Sequence, residues 1–339
     1  MQPPNTPQGE RKVPAMDAEM DIKSKKESFS SMIAFYTPKL ADKPWVDKLL
    51  LGADSRGCEY SFTNLYTWRH AFHYAVAPVE GFLAARLCGA LGCSYLYPAG
   101  EGDVERVLRA LAEDAGERGE PFRLVCLSGE QAAGLEARFP GCFQIEADRD
   151  SFDYLYEIDR LADLPGKRLH AKRNHINAFT RAFPDWTYEE MTPAVLPECL
   201  EMDKEWYRRS REREGAAQAG DLGNEGLALR DAIAHFEELG LEGGVIRVYG
   251  EVVAFTMGDR LGRDCYDVRF EKAYNELRGG YTLINREFAR WVRKRYPQVR
   301  YLNREDDMGV PGLRKAKESY YPDRMVEKYS AILKKDAVF

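Results

Sequence analysis

The sequence contains no run of about 18 apolar residues and no basic start leading into an apolar stretch, so neither a membrane-spanning helix nor a secretory leader is expected. A cytoplasmic protein without a transmembrane segment is the resulting expectation. The seven cysteines include no Cys-x-x-Cys pair and no Cys/His spacing suited to zinc, which predicts no metal site. Scattered and odd in number, Cys58, Cys88, Cys93, Cys126, Cys142, Cys199 and Cys265 read as reduced thiols, mostly buried. His70 and His73 fall in a strand-like alternation that sends their rings to opposite faces. A Gly-x-Ser-x-Gly elbow and a Gly-Lys-Ser/Thr phosphate loop are missing too, excluding the chemistries those motifs carry. Nor is there an excess of base: 55 acids against 49 bases give a formal charge of −6. DNA is therefore not an expected partner, and any contact with a polyanion must be local.

What is present is core enough for two domains, since 44% of the 339 residues are hydrophobic. Residues 1–30, with Pro3, Pro4, Pro7 and Pro14 and little apolar periodicity, read as a flexible tail. Short apolar runs at 71–77, 81–87 and 94–97 predict a strand meander, and the even-numbered aromatics from Tyr60 to Tyr74 read as core. Helical spacing of Val104, Val107, Leu108 and Leu111, a strand at 123–127, a helix at 131–139 and strands near 142 and at 152–158 complete a β-β-β-α-β-α-β-β order. The second half repeats much of it, with strands at 245–248, 252–257 and 265–270, a helix at 281–296, a strand at 299–303, a helix at 313–319 and a strand at 325–329. Matching order predicts two similar α/β domains, 35–160 and 185–335. Between them, 161–184 is a basic connecting helix opened by Pro165 and closed before Pro184.

The densest chemistry lies where the 299–303 strand ends. Glu305, Asp306 and Asp307 crowd negative charge there, a glycine turn follows, and Arg314, Lys315 and Lys317 crowd positive charge onto the next helix. Such a dipolar pocket places a base beside an anion clamp. The same charges also fit a solvated turn whose acids pair with that helix.

Three ordered pieces carry a resemblance: Gly166-Lys-Arg-Leu-His-Ala-Lys-Arg-Asn-His-Ile-Asn177; Phe270-Glu-Lys-Ala273 with Arg278-Gly-Gly-Tyr281; and Asn303-Arg-Glu-Asp-Asp-Met-Gly309 through Ser319-Tyr-Tyr-Pro322. Over roughly residues 40 to 330 the chain resembles the C-terminal catalytic domain of phosphatidylglycerol lysyltransferases. The resemblance implies an α/β (α+β) fold of two tandem GNAT-like (acyl-CoA N-acyltransferase-like) domains, shared with the Fem aminoacyltransferases. Lipid-modifying members carry this domain behind a large multi-span membrane region, which this sequence lacks.

Acyl transfer needs a clamp for the donor's phosphates and a route for the acceptor's proton. Arg278, Gly279 and Gly280 look like a shortened pyrophosphate loop ahead of a long helix, or else an ordinary strand-to-helix turn. Lys167, Arg168, Lys172 and Arg173, with Asn174 and Asn177 interleaved, suit an RNA backbone or another anion. Asn303, Arg304, Arg314, Lys315 and Lys317 join them as donor-binding candidates. For proton transfer, Asp306 with Glu305 beside it is the first candidate, because neighbouring carboxylates raise one another's pKa. Glu225 is the second, since the resemblance implies an acid near that helix start. The leading expectation is a soluble acyltransferase moving an aminoacyl group, with aminoacyl-tRNA as co-substrate, to an amine or hydroxyl acceptor and with no permanently bound cofactor. The alternatives are an acyl-CoA-dependent N-acyltransferase, with CoA as donor, and a non-catalytic binding protein of the same fold.

Overall fold

The computed structural model describes residues 32–90, 92–214 and 219–337. The tail expected over 1–30 lies outside them. The first half supplies α1 (Lys43–Ala53), α2 (Phe62–Thr67), α3 (Arg69–Phe72), β1 (Ala75–Val79), β2 (Phe82–Gly89), β3 (Gly92–Leu96), β4 (Ala99–Gly100), α4 (Val104–Glu117), β5 (Arg123–Leu127), α5 (Gly129–Arg138), β6 (Phe143–Ala147) and β7 (Asp153–Glu157). Then come α6 (Ile158–Asp163), α7 (His170–Ala182), β8 (Thr187–Glu190), α8 (Leu196–Glu214), α9 (Ala219–Ala234) and α10 (Phe236–Leu239). The second half closes with β9 (Glu242–Val248), β10 (Glu251–Leu261), β11 (Cys265–Ala273), α11 (Gly280–Arg295), β12 (Tyr301–Asn303), α12 (Pro311–Glu318), β13 (Arg324–Val326) and β14 (Tyr329–Leu333).

Local chemistry starts these elements where the sequence allows. Ser128 and Gln131 cap α5 reciprocally, and Asp103 accepts from Arg106 N at 3.2 Å to open α4. Between Tyr60 and Tyr74 the aromatics Tyr60, Phe62, Tyr66 and Tyr74 are buried as expected, though Phe72 is exposed; the strand-like alternation does not hold, because Ser61 accepts from Asn64 N at 3.0 Å and opens α2, with α3 following. His70 is accordingly helical and His73 is a left-handed terminus. The thiol expectation fails at one place. Cys88 and Cys93 face each other in register across the β2–β3 hairpin and form a disulfide, while Cys58, Cys126, Cys142, Cys199 and Cys265 are free.

Two seven-stranded sheets result, one ordered β1-β2-β3-β5-β14-β6 with β4 on β2, the other β13-β7-β12-β11-β10-β9-β8. Two strands have changed places. β7, inside the expected 35–160 domain, pairs with β12 and β13, and β14, inside the expected 185–335 domain, lies between β5 and β6. The final apolar run, expected as one strand at 325–329, is thus two short strands serving different sheets. One core packs α4 and α5 on the first sheet, and a second packs α6, α7 and α11 on the other. A third joins the remaining faces through α1, α2, α8 and α9, with Leu83 and Leu96 on one side and Phe255 and Phe270 on the other. From Met32 onward the chain is therefore one compact unit. Among the described residues no helix is long and apolar enough to cross a membrane.

Candidate active site

β11 and β12 run parallel for three residue pairs, ending at Asp267 opposite Asn303. β12 then stops while β11 continues to Ala273, and the strands part. Just there β11 bulges: Met257 pairs with Phe270 and Gly258 with Val268, leaving Arg269 unmatched in the ladder. Glycine is required at 258, because a Cβ would overlap the Asp267 carbonyl. The bulge delivers the buried Arg269 guanidinium to Asp259 at 2.8 Å, Asp267 at 2.6 Å and Glu305 at 3.5 Å. It also donates to Ser61 Oγ and, at 3.0 Å, to the Cys58 carbonyl. Burial alone would lower the Arg269 pKa, but Asp259, Asp267 and Glu305 hold it above that of a free arginine.

Asp267 and Glu305, which meet it, and Asp306, next in the chain, are displaced upward as well. Burial raises Asp267 to about 7 and Asp306 to about 6, and burial with the neighbouring Asp267 lifts Glu305 well above the carboxylate range. Asn303 orders this corner. Its Nδ2 donates to Asp153 at 2.9 Å and to the Arg56 carbonyl at 2.8 Å, while its Oδ1 accepts from Glu305 N at 2.6 Å. Lys328 Nζ lies 2.6 Å from both Asp153 and Glu59 and 3.5 Å from Cys58 Sγ. Cys58, Glu59 and Asp153 have the spacing of a metal triad, but this ammonium already supplies their positive charge.

The helix after the loop is used differently from the anion clamp expected. Arg314 is held by Asp307 and Asp150, both at 2.7 Å. Lys317 donates to the Arg304 carbonyl at 2.5 Å and to the Asp306 carbonyl, so both bases shape the loop. Asp307 also accepts from Tyr154 and from Gly309 N at 2.9 Å; burial works to raise its pKa, but these donors and Arg314 override it and lower it. Lys315 is exposed.

The connecting helix begins at His170, later than expected, and leaves Lys167 and Arg168 in an exposed turn. Its Lys172 meets the strand-end motif: Lys172 Nζ and the Arg304 guanidinium sit 3.7 Å and 4.9 Å from the Tyr320 ring. Burial and the nearby Arg304 push Lys172 down to about 8. Arg304 bonds Glu271 at 2.8 Å and Glu271 accepts from Asn285 at 3.1 Å, while Arg304 Nη1 and Asn285 Oδ1 are buried without partners among the described residues. Arg173, which also donates to the Gly166 carbonyl at 2.8 Å, lines a cavity of about 320 Å³ with His170, Asn174, Asn177, Arg286 and Arg290.

Arg278 is exposed. Gly279 caps α11 at φ +99°, and a Cβ there would overlap the His175 carbonyl of α7. Gly280 N–H donates to Leu277 O at 2.9 Å. These glycines let α7 cross closely over the start of α11. Glu225 lies within α9 and shares no described partner with Asp306; it accepts from Lys272 at 2.6 Å and Tyr207 at 3.1 Å. Arg269, Asp267, Asp153 and Lys328 were not anticipated. The available signal was charge inside the otherwise apolar Cys265–Phe270 run.

Two mixed sheets, an exchanged strand pair and a polar centre where parallel strands part define a tandem GNAT-like fold. The chain belongs to the family of the phosphatidylglycerol lysyltransferase C-terminal domain, whose description it matches over residues 52–332. A conserved protein of unknown function from Bacteroides thetaiotaomicron is 39% identical with a TM-score of 0.82, covering 89% of this chain and 100% of that one. L-PGS from Bacillus licheniformis is 16% identical with a TM-score of 0.56 over 78% of this chain and 85% of that one. FemX, at 11% identity, has a TM-score of 0.53 over 88% and 97%. An uncharacterized protein of Mycoplasmoides gallisepticum is 25% identical over 180 residues, 53% of this chain and 55% of that relative, so the match spans about half of the relative's length.

Proposed function

We propose that this chain is an acyltransferase that moves an aminoacyl group from aminoacyl-tRNA to a hydroxyl or amine acceptor at the parting of β11 and β12. The acceptor oxygen or nitrogen attacks the ester carbonyl, a new ester or amide bond forms, and the bond to the tRNA ribose oxygen breaks. Asp306 takes the acceptor's proton and returns it to the departing ribose oxygen. The observation that carries the reading is the carboxylate cluster at the strand ends, Asp267 and Glu305 on the buried Arg269 at 2.6 and 3.5 Å and Asp306 next to Glu305 in the chain, with Asp306 and Asp267 raised to about 6 and 7. Such groups gain and lose protons at little cost near neutral pH.

Two features favour tRNA over CoA as donor. The start of α11, where a pyrophosphate would rest, is covered by α7 at His175. Arg173, Arg286 and Arg290 line one cavity, against the single acid Asp163, and such a basic lining suits a phosphate backbone. Relatives named for lysyl-phosphatidylglycerol synthesis and FemX support the class of reaction. The test offers the purified protein a mixture of charged tRNAs and, separately, acetyl-CoA. Expected are tRNA binding that weakens steeply with salt and no binding of acetyl-CoA. Acetyl-CoA binding without tRNA binding overturns the donor, and binding of neither overturns the whole reading.

A further inference from the structure

A second cavity, of about 510 Å³, opens between α8 and α9, lined by Asp203, Tyr207, Arg211, Gly226 and Arg230 among others. It shares no lining residue with the basic cavity beside α7. Its floor is unusual. Asp203 is 1% exposed, and among the described residues its Oδ1 has no hydrogen-bond partner. A buried carboxylate left in that condition costs stability unless something else meets it. The nearby cation does not do so, since Lys272, itself buried, gives its Nζ to Glu225 at 2.6 Å and rests 3.9 Å from the Trp206 ring. Tyr207 likewise spends its hydroxyl on Glu225. The rest of the lining is mostly basic, with Lys204, Arg208, Arg211 and Arg230 against Glu212. Lys204 is held by Glu201 at 2.6 Å and Arg208 by Glu205 and Glu212 at 2.7 and 2.5 Å, so Arg211 and Arg230, both exposed, are the bases the rim can offer a ligand.

We infer that this cavity binds a small zwitterion, a molecule with an ammonium group a few bonds from an oxyanion, its nitrogen against Asp203 and its oxyanion at Arg211 and Arg230. A plain cation would satisfy Asp203 but meet repulsion from Arg211 and Arg230. A plain anion would be drawn to the mouth and leave Asp203 unpaired. Only a ligand with both charges suits floor and rim together. The inference is independent of the donor proposed above, and its test contains no RNA.

The test is calorimetric titration of the full chain with L-alanine and with O-phosphoethanolamine, which share the ammonium and differ in the oxyanion, against propionate and ethyl phosphate, which lack the ammonium. At least one zwitterion is expected to bind with a Kd below about 1 mM, and its counterpart without nitrogen at least about tenfold more weakly. Which zwitterion binds identifies the oxyanion as carboxylate or phosphate. Asp203→Asn keeps the shape and should weaken binding about tenfold or more. The exposed pair Arg211→Gln with Arg230→Gln, which has little means of unfolding the protein, should do the same. The inference is overturned if neither zwitterion binds at about 10 mM, if the compounds without nitrogen bind as well, or if Asp203→Asn binds like the parent.

Discussion

Replacing Lys328 by methionine should be among the most damaging single changes in this protein. The ammonium is 2% exposed and lies 2.6 Å from both Asp153, wholly buried, and Glu59. Burial alone would lower its pKa, yet Asp153, Cys58 and Glu59 hold it well above that of a free lysine. Methionine fills most of the space, so the loss is electrostatic rather than a cavity. Removing one partner of a buried pair costs about 3–5 kcal/mol, because the other charge is left uncompensated. The lower part of that range applies, since Asp153 keeps hydrogen bonds from Cys58 N and Asn303 Nδ2, both at 2.9 Å. Against a total stability of about 5–15 kcal/mol this is a large fraction. Urea unfolding at pH 7.5 should therefore show a loss of about 3 kcal/mol in Lys328→Met, and adding Asp153→Asn should recover part of it. A loss below about 1 kcal/mol, or no recovery in the double variant, would refute the argument that this ion pair compensates its own burial.

Asp306→Asn keeps the loop's shape and removes the proton acceptor, so single-turnover transfer should fall about a hundredfold or more with donor affinity unchanged; parent-rate transfer, with Glu225→Gln slow, would move the base to α9. Gly279→Ala combines a positive φ with overlap on His175 and should lower stability by roughly 2 kcal/mol or more in denaturant titration. Asp203, facing Lys272 and Tyr207 with Glu225 and Arg230 of α9, is raised from 3.8 to about 6 by burial. A raised carboxyl penalises the folded state once the unfolded chain ionises, so Asp203→Asn should gain up to about 3 kcal/mol at pH 8 and nothing below about pH 4. Lys167→Gln with Arg168→Gln should leave the melting temperature nearly unchanged, whereas Lys172→Gln should lower it, because Lys172 bonds Ser319 at 2.7 Å and rests on Tyr320.

Where the sequence was legible, one physical rule dominated each segment. The apolar runs of β9, β10 and β11 and the long period of α11 need no distant information. The strand-end acids were visible because three stand in a row. Asp267 and Arg269 were not, since a bulge turns on which partner strand lies opposite, and that is set far away in sequence. In 60–74 the aromatics are legible as core, and Tyr60, Phe62, Tyr66 and Tyr74 are buried; the strand alternation at His70 and His73 fails because the Ser61 cap opens helix there. Gly279 and Gly280 were recognised as special without their cause, the crossing of α7. The disulfide partners were lost in an odd count that says nothing about register.

The exchanged strands also constrain the order in which the protein is made. β6 pairs, among the described residues, with β14 alone, and β7 only with β12 and β13. A chain leaving the ribosome with its amino end first therefore carries both strands, Phe143–Ala147 and Asp153–Glu157, with no hydrogen-bonding mate until the segment beyond residue 300 has emerged. Neither sheet closes during most of synthesis, and the open edges of the early half stay competent to pair with other nascent chains. Completion of both sheets thus waits for the segment beyond residue 300, and two modules cannot be finished one after the other.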